Sequence, residues 1–316
     1  MTNRTTPRVL AAATALLALG AVAGCSTGGP AGADPQRVDM VAAFYPLQFL
    51  AERVGGDDVR VTNLAKPGAE PHDLELSPRQ VGDITEAELI VYLKGFQPAV
   101  DEAIAQDDDA RVFDVASVQP LLDASAGGHN HEGEEEQGEE RHEHAKDPHV
   151  WLDPTRLAAI GDQLAHQLGT VDPGHAAGYT ARAASLRADL TALDGEFSKG
   201  LATCQRREIV TSHAAFGYLA DRNRLQQVGI TGLSPDVEPS PQRLAQVVEE
   251  AKEHRASTIF FESLVSPKVA ETIAGQVGAK TAVLDPIEGL APGSDADYFS
   301  VMRTNLQTLR TALSCS

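Results

Sequence analysis

Four residues of the types that bind metal ions stand at comparable places along the chain: His72, His149, His213 and Asp285. Each of them follows a predicted β-strand or precedes a predicted helix. In open α/β sheets, the loops at the carboxyl ends of the strands line the crevice where ligands bind. Two of the four residues come from each half of the chain, so we expect their side chains to converge across a cleft.

Three imidazoles and one carboxylate suit Zn²⁺, which takes four ligands in a tetrahedron. Mn²⁺ and Mg²⁺ are harder ions and favour more oxygen ligands. A histidine must be neutral to bind a metal, so we expect zinc affinity to fall below about pH 6.5. A catalytic zinc keeps one position open for water and needs a nearby general base. The sequence has no His-Glu-x-x-His helix, and we therefore expect a binding protein that is not an enzyme, with a zinc-dependent hydrolase as an alternative.

Short β-branched runs alternate with longer helical stretches from residue 37 onward, which is typical of α/β folding. The pattern predicts two lobes, at 37–171 and 204–316, each with a mostly parallel sheet flanked by helices. Residues 172–203 between them have helical spacing without an internal proline after Pro173. Thirty helical residues extend about 45 Å, so we expect one long, rigid helix to join the lobes.

The N-terminus predicts export. Arg4 and Arg8 precede an apolar run at 9–22, and small residues follow directly before Cys25. This order is that of a secretory signal peptide at 1–24, and the run is shorter than the roughly 20 residues that span a bilayer. The residues before Cys25 resemble a lipobox, so we expect a lipid on Cys25 and a tether at 25–36 that anchors the protein to the outer face of the cytoplasmic membrane. An ordinary signal peptide with an incidental Cys25 is the alternative.

Two further cysteines, Cys204 and Cys315, complete the cysteine content. In an exported protein, one even pair favours a disulfide. It would close a loop of roughly 110 residues, a bridge of about 4 to 5 kcal/mol in the chain-entropy account. Two buried free thiols are the alternative.

The charge pattern has two features. The formal net charge of -19 makes nucleic acid an unsuitable partner, and an acidic surface attracts cations. The segment 129–144 contains four histidines and seven glutamates, a composition that predicts a surface loop. We expect this loop to collect zinc weakly, and a solvated acidic loop without metal is the alternative. Its histidines are His129, His131, His142 and His144.

Four segments together resemble the metal-binding solute-binding proteins of bacterial ABC importers, in the zinc-uptake branch. They are Gly68-Ala69-Glu70-Pro71-His72-Asp73, Asp147-Pro148-His149-Val150-Trp151-Leu152-Asp153-Pro154, Thr211-Ser212-His213-Ala214-Ala215-Phe216-Gly217-Tyr218, and Phe260-Phe261-Glu262 through Val283-Leu284-Asp285. The resemblance implies a metal buried between two lobes, with His72 and His149 from the first and His213 and Asp285 from the second. It also implies that a monomer delivers Zn²⁺ to a membrane permease, with a metallochaperone as a possible further partner.

Two positions refine the resemblance. Manganese-type relatives typically have a carboxylate where this chain has His213, so the histidine favours zinc; another divalent metal remains the alternative within the family, and a surface adhesin outside it. Some zinc members have a glutamate directly before the first histidine, where this chain has Pro71. That difference points to Asp285, or a water, as the fourth ligand. Glu262, near a strand end, could accept a hydrogen bond from a ligand histidine, or could simply be an acid at a helix start.

Overall fold

The computed structural model describes residues 37–107, 111–124 and 145–316. The predicted signal peptide, Cys25 and the tether lie outside the described residues, and so do the four histidines of the segment 129–144. Within the described ranges, no helix is both long and apolar enough to cross a membrane.

The first lobe is built on four parallel strands in the order β2-β1-β3-β4. Their sequences are rich in β-branched and aliphatic residues, and β3 is buried along its whole length. The strands are β1 (Val38–Ala42), β2 (Val59–Asn63), β3 (Leu89–Tyr92) and β4 (Val112–Asp114). The helices are α1 (Tyr45–Gly55), α2 (Pro78–Glu86), α3 (Pro98–Ala105) and α4 (Val115–Val118).

Two long helices follow, α5 (Pro154–Val171) and α6 (Ala176–Gly200), and they pack along each other. A single 3₁₀ turn at Pro173–His175 leads directly into α6. One face of α6 is apolar at helical spacing, and its buried residues are Tyr179, Ala183, Leu186, Leu190, Leu193 and Phe197. The prediction of one long connecting helix is confirmed, although α6 begins four residues later and ends three residues earlier than the predicted range 172–203.

The second lobe repeats the first, with four parallel strands in the order β6-β5-β7-β8. The strands are β5 (Glu208–Thr211), β6 (Gln226–Gly229), β7 (Thr258–Phe261) and β8 (Lys280–Val283). The helices are α7 (Gly217–Asn223), α8 (Pro241–Glu253), α9 (Lys268–Val277) and α10 (Tyr298–Ala312). The predicted fold class, two parallel α/β sheets joined by one long helix, is therefore confirmed.

Helix α6 is tied to both lobes. Arg182 donates to the carbonyl oxygens of Val54 and Gly55 at the end of α1, each at 2.8 Å. Glu196 pairs with Arg303 of α10 through 2.9 Å contacts. The largest core cluster runs from β1 through α5 and α6 to α10, and the described residues form one compact unit. The limits 37–171, 172–203 and 204–316 therefore remain a proposed division of one continuous body.

The predicted disulfide is present between Cys204 and Cys315, which are 111 residues apart in sequence. Cys204 follows the end of α6 and Cys315 follows α10. The backbone around the bond is also hydrogen-bonded, because Gln205 and Arg206 both donate to the carbonyl oxygen of Leu313, at 3.1 and 3.2 Å. The chain terminus is thus fastened to the start of the second lobe.

Candidate metal centre

Three histidines and one glutamate meet between the two sheets: His72, His149, His213 and Glu288. His72 lies in the loop between β2 and α2, and His149 directly precedes a 3₁₀ turn at Val150–Leu152 that leads into α5. His213 follows β5 and Glu288 follows β8, so both halves contribute two side chains. Loops after strands β2, β5 and β8 supply His72, His213 and Glu288, and the segment before α5 supplies His149. The three histidines therefore lie together, as the sequence predicts.

The spacing of the four side chains suits a tetrahedral ion. One oxygen, Oε1 of Glu288, lies 3.1 Å from His149 Nε2, 3.2 Å from His213 Nε2 and 3.4 Å from His72 Nε2. The Nε2 atoms of His149 and His213 are 3.2 Å apart. A tetrahedral zinc with bonds of 2.0 to 2.1 Å sets its ligand atoms about 3.3 Å apart. These four separations are therefore close to those that a four-coordinate zinc requires, and all the ligand atoms lie within 4.8 Å of one another.

The centre is closed to solvent. The side chains of His149 and His213 are 0% exposed, that of Glu288 is 1% exposed, and His72 is the most accessible at 9%. The His72 ring packs 4.5 Å from Phe96, and the His149 ring packs 5.3 Å from Trp151. A buried carboxylate is costly unless charged or polar partners face it, and Glu288 has three imidazoles around it.

Two further carboxylates orient the histidine rings. Asp147 Oδ1 lies 2.7 Å from His149 Nδ1, and Glu262 Oε1 lies 2.6 Å from His213 Nδ1. A ring that donates from Nδ1 presents the lone pair of Nε2 to a metal. The sequence indicates this role as one possibility for Glu262 but does not point to Asp147. The available signal was position, since Asp147 stands two residues before His149 in the Asp-Pro-His segment.

The expectation that Asp285 provides the carboxylate of this cluster is corrected by the geometry. Asp285 Oδ1 accepts from the Ile287 backbone N–H at 2.7 Å, and Oδ2 accepts from the Ser263 hydroxyl. Both carboxylate oxygens of Asp285 thus accept hydrogen bonds within the second lobe. Glu288, three residues further along the same segment, extends into the cluster instead. Two acids at this spacing were visible in the sequence, but only the path of the turn decides which one reaches the histidines.

The turn from Asp285 to Glu288 has an unusual backbone. Ile287 is fully buried and has φ of 61°, in the left-handed region that β-branched residues rarely adopt. Asn305 of α10 holds Asp285 from both sides, accepting from its N–H at 3.0 Å and donating to its carbonyl oxygen at 2.7 Å. Trp151 Nε1 donates to the Pro286 carbonyl oxygen at 2.7 Å. These contacts stabilise the conformation that directs Glu288 toward the histidines.

The electrostatics of the centre favour protons when no metal is bound. Burial alone would lower the pKa of His213, but the carboxylates of Glu262 and Glu288 outweigh it and raise this pKa to about 10. Burial likewise opposes protonation of His149, whose pKa is nevertheless raised by Asp147 and Glu288. For Glu288, burial would raise the pKa, but the three imidazoles lower it well below its usual range. A metal cation would replace these protons as the partner of Glu288.

Zinc binding is therefore expected to release protons and to weaken as the pH falls. The pKa values of His149 and His213 are raised, so protons compete with zinc already near neutral pH. The apparent affinity should fall about tenfold per pH unit for each proton displaced. Competition titrations with a chelator between about pH 8 and pH 6 would measure this dependence, and calorimetry in buffers of different ionisation enthalpy would count the protons. An affinity that is constant over that range would contradict the assignment of these histidines.

Comparisons with known proteins match this chain to zinc-binding or zinc-uptake proteins. A family model described as "ZnuA: Zinc-uptake complex component A periplasmic" matches residues 40–312. The chain is 36% identical over 286 residues to the zinc-binding protein AdcA of Streptococcus pyogenes serotype M3, which covers 87% of this chain and 56% of that protein. It is also 34% identical over 314 residues, 95% of each chain, to the high-affinity zinc uptake system protein ZnuA of Bacillus subtilis. The chain thus spans little more than half the length of the streptococcal relative.

Solved structures give the same picture. The crystal structure of the Zn(II)-bound ZnuA-like domain of Streptococcus pneumoniae AdcA matches with a TM-score of 0.72 and 32% identity, covering 88% of this chain and 99% of that chain. The family match, at residues 40–312, includes both sheets, the connecting helix and all four residues of the cluster.

Proposed function

Because this chain belongs to the family of the periplasmic zinc-uptake complex component A, we propose that it captures Zn²⁺ between its two lobes and delivers the ion to the permease of an ABC importer. One observation carries the proposal: the Nε2 atoms of three histidines lie 3.1 to 3.4 Å from a single Glu288 oxygen in a buried centre. Zinc is the transported ion here.

The proposed ligands are His72, His149, His213 and Glu288, with Glu288 in the place expected for Asp285 from the sequence. Three nitrogens and one oxygen favour Zn²⁺ over Mn²⁺, which prefers more oxygen ligands. Four protein side chains complete a tetrahedron and leave no position for the water that a catalytic zinc would activate. This supports a role in binding and transport rather than in hydrolysis.

Export and anchoring complete the proposed function. Residues 1–24 would direct export, and a lipid on Cys25 would hold the protein at the outer face of the cytoplasmic membrane, where a permease is within reach of the tether 25–36. A relative supports this part, since the Streptococcus pneumoniae protein AdcA is described as a zinc-binding lipoprotein. The protein would act as a monomer, and a metallochaperone could load it.

The segment 129–144 is proposed to hold weaker zinc sites formed by His129, His131, His142 and His144. The residues on either side of it are close together, since Ala124 N–H donates to the Ala145 carbonyl oxygen at 2.7 Å and Asp147 N–H donates to Leu122 at 2.9 Å. Deletion of 129–144 leaves Ser125-Ala126-Gly127-Gly128 to connect Ala124 with Ala145. Such a deletion should therefore be compatible with the fold.

This deletion gives the test of the proposed function. We expect the shortened protein to retain one tightly bound zinc and to lose only the weaker sites, because no proposed ligand of the tight site is removed. Elemental analysis after gel filtration, with equal Zn²⁺ and Mn²⁺ supplied, measures both identity and stoichiometry. A full-length variant with the four histidines changed to Gln separates the loss of imidazoles from the change in length. Loss of the tight zinc in the deletion, or retention of manganese instead, would contradict the proposed function.

A further inference from the structure

The loop that carries His149 is fastened by a residue of the other lobe. Tyr218, the second residue of α7, is buried, and its hydroxyl donates to the Asp147 carbonyl oxygen at 2.9 Å. The same hydroxyl accepts from the Leu122 N–H at 2.8 Å. The Tyr218 hydroxyl thus donates one hydrogen bond and accepts another, both with backbone groups of the first lobe.

Asp147 connects this hydroxyl to the metal centre. Its Oδ1 atom accepts from the His149 backbone N–H at 2.9 Å and lies 2.7 Å from His149 Nδ1. The other carboxylate oxygen, Oδ2, lies directly over Gly217, where an added Cβ would collide with it. Tyr218 therefore fixes the backbone of Asp147, while Gly217 leaves the space that its carboxylate occupies.

The need for this fastening follows from the local structure. Residues 147–149 belong to neither a strand nor a helix. The short backbone pairing with residues 122–124 ends at the Asp147 N–H, so it does not set the direction of the His149 ring. The far end of the segment is held in the same manner, because the Tyr298 hydroxyl of α10 donates to the Trp151 carbonyl oxygen at 2.6 Å. The orientation of this ligand consequently depends on residues of the second lobe.

We propose that Tyr218 is a positioning residue for zinc capture: its hydroxyl holds Asp147, and Asp147 directs His149 Nε2 into the centre. The inference rests on the proposed zinc site and adds a coupling between lobes. Because the Tyr218 contact crosses from the second lobe to the first, separation of the lobes breaks it and releases the restraint on His149. The same protein then binds zinc tightly while the lobes are together and releases the ion when they separate.

The primary test compares Tyr218→Phe with Tyr179→Phe. Both tyrosines are buried, and Tyr179 donates to Asp172 Oδ2 at 2.7 Å beside the start of α6, away from the ligand loops. Each variant loses one buried hydroxyl and keeps its ring. We expect Tyr218→Phe to release zinc to a chelator about tenfold faster than wild type, in line with the effect of removing support behind a metal ligand. Tyr179→Phe should release zinc at the wild-type rate even where its unfolding midpoint falls equally.

A double-mutant cycle distinguishes positioning from a general structural effect. If Tyr218 acts through Asp147, adding Tyr218→Phe to Asp147→Ala changes zinc release little beyond Asp147→Ala alone. If the two substitutions instead raise the zinc-release rate by independent factors that multiply in the double variant, the inference is overturned. Gly217→Ala provides a second route, because it displaces the Asp147 carboxylate and leaves the hydroxyl in place; Gly195→Ala, where an added Cβ meets nothing within 4 Å, is its control.

The outcomes separate the two proposals. Wild-type protein that fails to retain zinc would overturn the proposed function itself. The positioning role alone would be overturned if the wild type binds zinc tightly but each test variant releases zinc at the same rate as its control. The pairs are Tyr218→Phe with Tyr179→Phe, and Gly217→Ala with Gly195→Ala.

Discussion

Glu288→Gln is expected to weaken zinc binding about 100- to 1000-fold, whereas the matched change Asp285→Asn should weaken it about tenfold or less. A structural zinc site contributes about 10 to 16 kcal/mol over four ligands, so one ligand accounts for roughly 2.5 to 4 kcal/mol. Glu288 is the residue whose oxygen faces all three histidine Nε2 atoms. Replacing it by an amide of the same size removes the anionic ligand and keeps the packing.

Asp285 affects the same site indirectly. Its side chain accepts from Ile287 N–H and Ser263, contacts that stabilise the left-handed backbone of Ile287 immediately before Glu288. An asparagine can keep one acceptor in this position, which is why the expected loss is small. Competition with a chelator of known affinity, performed on both variants in parallel, measures the difference. A larger loss for Asp285→Asn than for Glu288→Gln would restore Asp285 as the ligand.

The second large effect concerns stability. Cys204→Ser combined with Cys315→Ser is expected to lower the free energy of unfolding by about 4 to 5 kcal/mol, because the bond closes a loop of 111 residues and restricts the unfolded chain. In the folded state, the hydrogen bonds from Gln205 and Arg206 to Leu313 hold the terminus without the bond. Zinc affinity well below the unfolding temperature should therefore be unchanged.

Urea unfolding of a soluble form that starts at Ser26 would measure this loss, since that form lacks Cys25 and has no third thiol. The wild-type chain treated with a reductant is the matched control and should unfold at the same urea concentration as the double variant. A stability change below about 1 kcal/mol would show that the folded terminus, rather than the covalent loop, carries the stabilisation.

Local sequence signals determined most elements of the fold. Ser240-Pro241 is a local signal for the start of α8, where the Ser240 side chain accepts from the Arg243 N–H and Pro241 occupies the first turn. Asp297 and Ser300 likewise form a capping box at the start of α10. Both cases show that caps and β-branched runs act over three or four residues, which is the range that a sequence displays directly.

The sequence by itself determined the α/β class, the long connecting helix and the three histidines that converge, because strand ends and residue types are local properties. Only the tertiary structure decided that Glu288 rather than Asp285 completes the cluster. That choice depends on the backbone at Ile287. The contacts of Asn305 with Asp285 and of Trp151 with Pro286 stabilise it, and these pairs are 20 and 135 residues apart along the chain. The orientation of His149 through Asp147 and Tyr218 was decided in the same way. Hydrogen bonds between distant segments set the direction of a side chain, and no spacing along the sequence encodes them.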